Sequence, residues 1–478
     1  MTKGQTFRTF GAAVAISAAL AACGGSGGSG AKTPSALDPA NMVPASSVAY
    51  ASVAIRPQGS LASDLVEAVN SIAGPGAGQK LSRNFAKSLG KQWKQIKPWA
   101  GEYAGVALTG IPTDLSSGSK AFESNVVVVL PTADPAAARH FLAKNPPGPG
   151  YTQKVVGDYV IIGGADAVDQ AEATTAKNSL AADPGFRSDT AKLGTDELFT
   201  FYAPLHQLLS AVVPLMKSDP AFTASDLAKA EKEAPAGSSV ALGGAALHNR
   251  FRLDVISNGL PTTGTSATQS NGVSSLPAGS WLALSLGGSL AQSSAVNNLA
   301  TELPKELARI QALSGRAAAI PSGPLQFVEK DLLPALGPMT LSVTGTSLPT
   351  LQAGLLISPL NRNAGARLAS GVKRLVKGLP ISTTTSGGRV AVTYGYSNIQ
   401  QLLKPVSTLG QSIGFKSALS QLPAGSKASI YVDFAPIAAL ASLEGGASGA
   451  SAVRVLHRLD YLIAGGTHSH FRLVLTTN

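Results

Sequence analysis

Short apolar runs with period-2 alternation recur along this chain between stretches of helical periodicity, and glycine, proline or serine punctuates the joins. In the first half this pattern predicts strands near residues 48–55, 103–108, 125–130, 159–162, 198–202, 240–247 and 251–256. Helices are expected between them. Asp134-Pro135 marks the clearest helix start, an N-cap acceptor followed by a proline whose missing N–H costs nothing at the first helical position. That helix should run to about Lys144. Strands joined by short glycine-bearing turns favour antiparallel pairing, with helices on one face of the sheet, so the expected class is α+β.

The second half echoes the first. Pro44-Ala45-Ser46-Ser47-Val48-Ala49-Tyr50 recurs as Pro277-Ala278-Gly279-Ser280-Trp281-Leu282-Ala283, leading each time into a strand. Val126-Val127-Val128-Val129-Leu130-Pro131, with Arg139 downstream, corresponds to Gly354-Leu355-Leu356-Ile357-Ser358-Pro359 with Arg367, both at a spacing of 228. Gly185-Phe186-Arg187-Ser188 matches Gly414-Phe415-Lys416-Ser417, and Tyr202-Ala203-Pro204-Leu205 matches Phe434-Ala435-Pro436-Ile437 after a small insertion. Gly243-Gly244 with Phe251-Arg252-Leu253 parallels Gly465-Gly466 with Phe471-Arg472-Leu473. Order is kept throughout, which predicts two tandem duplicated α+β domains, 44–257 and 276–478. An uncharged Ser/Thr/Gly linker, 258–275, separates them.

The N-terminus changes the picture from a plain globular chain to an exported one. Lys3 and Arg8 precede an apolar stretch, residues 11–22, too short to span a bilayer, and Leu20-Ala21-Ala22-Cys23 is a bacterial lipobox. Residues 1–22 read as a cleaved signal and Cys23 as the lipid-attachment site. Residues 23–43 then form a tether that opens with a Gly/Ser run, and its 19 residues from Gly24 to Met42 reach roughly 25 Å as a coil. The protein is thus expected on the outer face of the cytoplasmic membrane, anchored rather than integral. Cys23 is the single cysteine, so no disulfide remains to brace the 478-residue chain. Hydrophobic residues make up 44% and charged residues 14%, which excludes disorder, while 5% aromatics leave little material for stacking on sugars or bases.

Charge separates the halves. Counting Lys plus Arg against Asp plus Glu gives 19 against 19 for 44–257 and 16 against 7 for 276–478, so the second half carries +9 of the formal +11. Its densest run is the predicted helix 363–377. There Leu368, Val372, Leu375 and Val376 can face inward while Arg367, Lys373, Arg374 and Lys377 project outward. Such a stripe suits anionic lipid or a cell-wall polymer, at about 1 kcal/mol per basic residue near an anionic membrane; the alternative is an ordinary solvated face. Nucleic acid is not expected, because no aromatic residues interleave with the charges.

Catalytic signatures are few. His468 and His470 lie two apart, as strand ligands would, but no acidic cluster accompanies them, and no metal or cofactor is expected. Ser88-Leu89-Gly90-Lys91 fits a Ser-x-x-Lys pattern without its usual companions, and the folded halves contain no phosphate loop or dinucleotide fingerprint. Arg139 with Arg367, and Arg252 with Arg472, are the repeated charges, expected as snorkelling structural arginines.

The Val-Pro-Ala-Ser and Leu-Pro-Ala-Gly strand openings, the Phe-Ala-Pro step and the lipobox together resemble an actinobacterial exported lipoprotein family catalogued as a domain of unknown function. Members commonly carry Leu-Pro-Ala-Asp; here Ser46, Gly279 and Gly425 stand at the acidic position. The resemblance implies fold and address but no activity. The expected function is therefore a non-enzymatic binding or scaffolding module of the cell envelope. A carrier of lipid or another hydrophobic molecule in an aliphatic cavity is the alternative, and a hydrolase with an unrecognised carboxylate site is the second.

Overall fold

The computed structural model describes residues 37–88, 90–112, 122–194, 196–218, 223–260, 272–287, 335, 337–359, 362–375, 380–444 and 450–478. Cys23, the Gly/Ser run and Lys377 lie outside the described residues, as do the side chains of Ser88, Gly90 and Lys91. The chain divides into two compact units, the first ending at Pro261 and taking in residues 477–478, the second running from Thr262 to Thr476.

In the first unit the strands are β1 (Ala49–Ala54), β2 (Tyr103–Leu108), β3 (Val126–Pro131), β4 (Thr152–Val156), β5 (Tyr159–Gly163), β6 (Phe199–Pro204), β7 (Ser239–Leu247) and β8 (Arg250–Asn258). They pair antiparallel in the order β8-β7-β6-β1-β2-β3-β5-β4. The second unit has β9 (Leu282–Leu286), β10 (Met339–Thr344), β11 (Gln352–Ile357), β12 (Ile381–Ser386), β13 (Arg389–Tyr394), β14 (Lys427–Asp433), β15 (Leu459–Gly466) and β16 (His470–Thr477). Its order, β16-β15-β14-β9-β10-β11-β13-β12, is that of the first unit with every number raised by eight.

Helices cover both faces of the first sheet, where one face was expected. Val129 and Ile161 share a buried cluster with Tyr50, Tyr202 and the helices Ala165–Glu172 and Pro184–Leu193. Their chain neighbours Leu130 and Val160 belong to a second cluster with Trp93, Trp99, Phe141 and Leu142. Adjacent strand residues point to opposite faces, so membership in different clusters means burial on both sides. The unbroken apolar run 126–130 has this cause, since a strand covered on one face alone would alternate.

The last residues of the expected tether and linker are packed. Pro39–Met42 forms a 3-10 turn that buries Ala40 and Met42, started by Asp38, whose carboxylate accepts the Ala40 N–H at 2.9 Å. Gly272–Ser275 does the same in the second unit, burying Val273. The following residues also correspond. Leu180 N–H donates to Val43 O and Leu409 N–H to Leu276 O, each at 2.7 Å, and Ser47 and Ser280 close turns onto Pro44 and Pro277, each at 3.0 Å. Apolar residues beside a proline or a positive-φ glycine thus end both tethers a few residues early.

The pairing registers refine the internal matches. Tyr50 pairs with Tyr202 and Ala283 with Tyr431, so Tyr431, not Phe434, stands where Tyr202 stands. No insertion separates this pair from the Gly-Phe match. Phe186 meets Tyr202 edge-on at 5.1 Å between ring centres, and Phe415 meets Tyr431 at 5.2 Å. Likewise Ala107 pairs with Val127 and Ser342 with Gly354, which shifts the β3–β11 match by one residue and sets Arg367 opposite His140 rather than Arg139. Strand β4 escaped the sequence reading because Thr152–Val156 is half-buried throughout and does not alternate. Its hairpin to β5 turns at Gly157, φ 55°, as the β12–β13 hairpin turns at Gly387 and Gly388, φ 58° and 77°.

Candidate functional site

The helix Arg362–Leu375 is amphipathic as expected. Ala364, Leu368 and Ala369 are buried and Val372 half-buried against Ile357 and Val390 of β11 and β13, while Arg362, Arg367, Lys373 and Arg374 are all exposed. No acidic residue occurs in it. Among the described residues from 276 on, eleven are Lys or Arg and three, Asp433, Glu444 and Asp460, are acidic. Two of those three are engaged with one another. Asp433 accepts the Ala435 N–H at 3.0 Å at the start of helix Phe434–Glu444, and the Asp460 carboxyl is pushed up by burial and then by the Asp433 charge. Among the described residues, the basic stripe therefore has few acidic side chains to oppose it. The corresponding helix of the first unit, Pro135–Lys144, starts as predicted at Asp134, whose carboxylate accepts the Ala137 N–H at 2.9 Å, and exposes Arg139, His140 and Lys144.

Arg252 is not a snorkelling side chain. Its Nη2 donates to Leu193 O at 2.7 Å and to Glu197 Oε1 at 2.6 Å, and its Nε lies 2.8 Å from Asp254 Oδ2. Glu197 and Asp254 are buried, the latter at 0% exposure, so the arginine holds two carboxylates out of water at the C-terminal carbonyls of helix Pro184–Leu193. Arg472 likewise meets a helix-end carbonyl. Its Nη1 donates to Gln421 O at 3.3 Å, just beyond helix Ile413–Leu419. Ser426 stands where Glu197 does and Val474, 1% exposed, where Asp254 does. Carboxylates locked in this way are shielded from any substrate, which removes Glu197 and Asp254 from the candidates for hydrolysis.

Other groupings carry less chemistry. His468 sits in the β15–β16 turn, closed by Thr467 N–H donating to His470 O at 2.9 Å, and neither histidine joins a ligating group of three among the described residues. Ser442 Oγ lies 3.4 Å from His457 Nε2, but it donates its proton to Ala438 O at 2.7 Å, so the imidazole is not placed to take it. On the sheet of the first unit, Val255, Leu242, Phe201, Ala51, Val106 and Val128 form one register-linked row across six strands. All six are half-buried or exposed, Phe201 at 38%.

A constellation invisible to the sequence reading lies at the end of that sheet. Asp64 and Glu67, on helix Gly59–Ala73, meet His248 of the β7–β8 turn with ligand atoms all within 4.8 Å of one another. Nothing local signals this, since the imidazole and the carboxylates lie far apart in the chain and converge only when the helix docks on β7. Among the described residues no helix is long and apolar enough to cross a membrane. No family model matches the chain, and no characterised protein or solved structure is detectably similar to it.

Proposed function

We propose that this chain is a lipid-anchored, extracytoplasmic binding module built from two copies of one domain, and that its second unit attaches to an anionic surface. The observation that carries the proposal is the solvent face of Arg362–Leu375, with four exposed basic residues and no acidic one. Beside an anionic membrane each such residue contributes about 1 kcal/mol, and the contribution falls within a Debye length of about 8 Å at physiological salt. Cys23 as an acyl anchor and the resemblance to the exported actinobacterial lipoprotein family belong to the same proposal, and they put the helix within reach of phospholipid headgroups. The copy relationship rests on the shared strand order, the matched turn hydrogen bonds and the paired aromatic contacts.

Sedimentation with vesicles tests this reading, using the full chain carrying Cys23→Ser so that no acyl group contributes. Phosphatidylglycerol vesicles should pull it down in a salt-sensitive manner and phosphatidylcholine vesicles should not. Equal binding to both overturns the proposal, and binding to isolated wall polymer alone would move the ligand from membrane to wall. A second reading, carriage of a hydrophobic ligand, is favoured by the half-exposed apolar row on the first sheet. Native mass spectrometry of the purified chain should then show a co-purified lipid; its absence weighs against carriage.

A further inference from the structure

The first unit contains a cluster that the binding proposal does not use. Helix Gly59–Ala73 anchors through Leu61, Leu65 and Ala68, buried against Ala246 of β7. That packing turns Asp64 and Glu67, one helical turn apart, toward the tip of the β7–β8 hairpin, where His248 sits. His248 Nδ1 and Glu67 Oε2 are 2.9 Å apart. Asp64 adds a second carboxylate within 4.8 Å of both, with no hydrogen-bond partner of its own among the described residues. Two carboxylates at this spacing repel one another. A cation between the three groups would offset that repulsion.

We propose that Asp64, Glu67 and His248 form a divalent transition-metal site, with zinc as the favoured ion. The donor set decides the class. An imidazole nitrogen with two carboxylate oxygens suits zinc and its neighbours in the first row, whereas calcium and magnesium prefer oxygen alone. The geometry is close to complete. Three ligand atoms at corners up to 4.8 Å apart lie at most about 2.8 Å from a common centre, and contraction to the usual ~2.0–2.2 Å needs less than an ångström from each. Glu67 and His248 are exposed and Asp64 half-buried, so rotamer adjustment supplies that movement without disturbing the buried face of the helix. Three protein ligands leave a coordination position open to water. Glu67 also lines a cleft of about 620 Å³ between this helix and Ala77–Ser88, with Ser63, Val66, Asn70, Pro75 and Gln79. In this arrangement the ion clamps the first helix to the hairpin, which links metal occupancy to the stability of the unit.

Equilibrium dialysis of the full Cys23→Ser chain against zinc chloride, read by elemental analysis, tests the site. One zinc per chain should bind saturably at pH 7.5, with a rise in the unfolding temperature. Magnesium and calcium chloride at the same concentration should not compete. His248→Ala and Glu67→Gln should each weaken binding at least tenfold, while the paired control His468→Ala/His470→Ala leaves it within twofold. Binding should weaken as the pH is lowered, because protons compete with the metal for the ligand atoms. Absence of saturable zinc binding, retention of it in His248→Ala, or displacement by calcium would each overturn the proposal. Circular dichroism of the variants at 25 °C separates loss of the ion from loss of the fold.

Discussion

The two units arrange eight strands in the same order, yet they fill one corresponding position in opposite ways. In the first, Arg252 gathers Glu197, Asp254 and the Leu193 carbonyl; in the second, Arg472 reaches the Gln421 carbonyl and the carboxylate positions are Ser426 and Val474. The invariant element is the arginine at a helix C-terminus, where it meets carbonyls left without intrahelical donors. The carboxylates are additions that the scaffold does not require. Their absence from the second unit contributes to its basic balance, while the outward face of Arg362–Leu375 concentrates it. A backbone plan can therefore be held constant while charge is redistributed around it.

Truncating the shared aromatic contact should produce the largest effects and the most equal ones. Phe186→Ala and Phe415→Ala should each destabilise their own unit by about 3–5 kcal/mol, because each ring is buried against a tyrosine. Urea unfolding can be followed unit by unit through the three tryptophans. A chain with Trp281→Phe reports on Trp93 and Trp99 of the first unit, and one with both of those replaced reports on the second. Clearly unequal losses would break the equivalence of the two cores.

The arginines should then diverge. Arg252→Ala leaves two buried carboxylates without their cation and should cost about 3–5 kcal/mol, whereas Arg472→Ala, with Ser426 and Val474 at the carboxylate positions, should cost less, about 1 kcal/mol. The double replacement Glu197→Ser/Asp254→Val recreates the second unit's chemistry in the first and should cost less than Arg252→Ala, although it deletes two charges. The reverse ranking would mean that the carboxylates, not the arginine, organise the site.

Alkaline pH offers a smaller contrast. Tyr202 and Tyr431 are both pushed up to about 12, chiefly by burial and next by nearby carboxylates. Burial also raises Tyr50 well above its usual range, and Ala283 stands at its place in the second unit. A phenol whose folded value exceeds its unfolded one stabilises fully below about pH 10, and that stability is lost as pH rises through the folded value. Tyr202 and Tyr431 each account for roughly 3 kcal/mol by the end of the transition. Thermal unfolding between pH 9 and 12 should therefore show the first unit losing stability more steeply than the second. Parallel slopes would contradict this.

Local elements were legible because their signals are local. Strand β2 lies where its alternation predicts, and Asp134-Pro135 starts its helix, since an acceptor followed by proline needs no distant partner. Register was harder. The β3 and β11 runs are apolar at nearly every position, so a one-residue slip leaves the sequence match looking sound while exchanging the faces of every side chain. The basic helix was readable from its periodicity, with Arg367, Lys373 and Arg374 outward. Glu197 and Arg252 were not, being 55 residues apart and joined only by folding, and the same holds for Asp64, Glu67 and His248.

The most direct test of a shared scaffold with charge specialised in one unit is to neutralise corresponding helices in turn and measure vesicle affinity. With phosphatidylglycerol vesicles at low salt, Arg367→Gln/Lys373→Gln/Arg374→Gln in the Cys23→Ser chain removes about 3 kcal/mol and should weaken binding about a hundredfold. Arg139→Gln/Lys144→Gln, on the corresponding helix of the first unit, should leave it within about twofold, the expectation for charges outside the contact. Equal losses from the two helices, or no loss from the first set, would contradict the account.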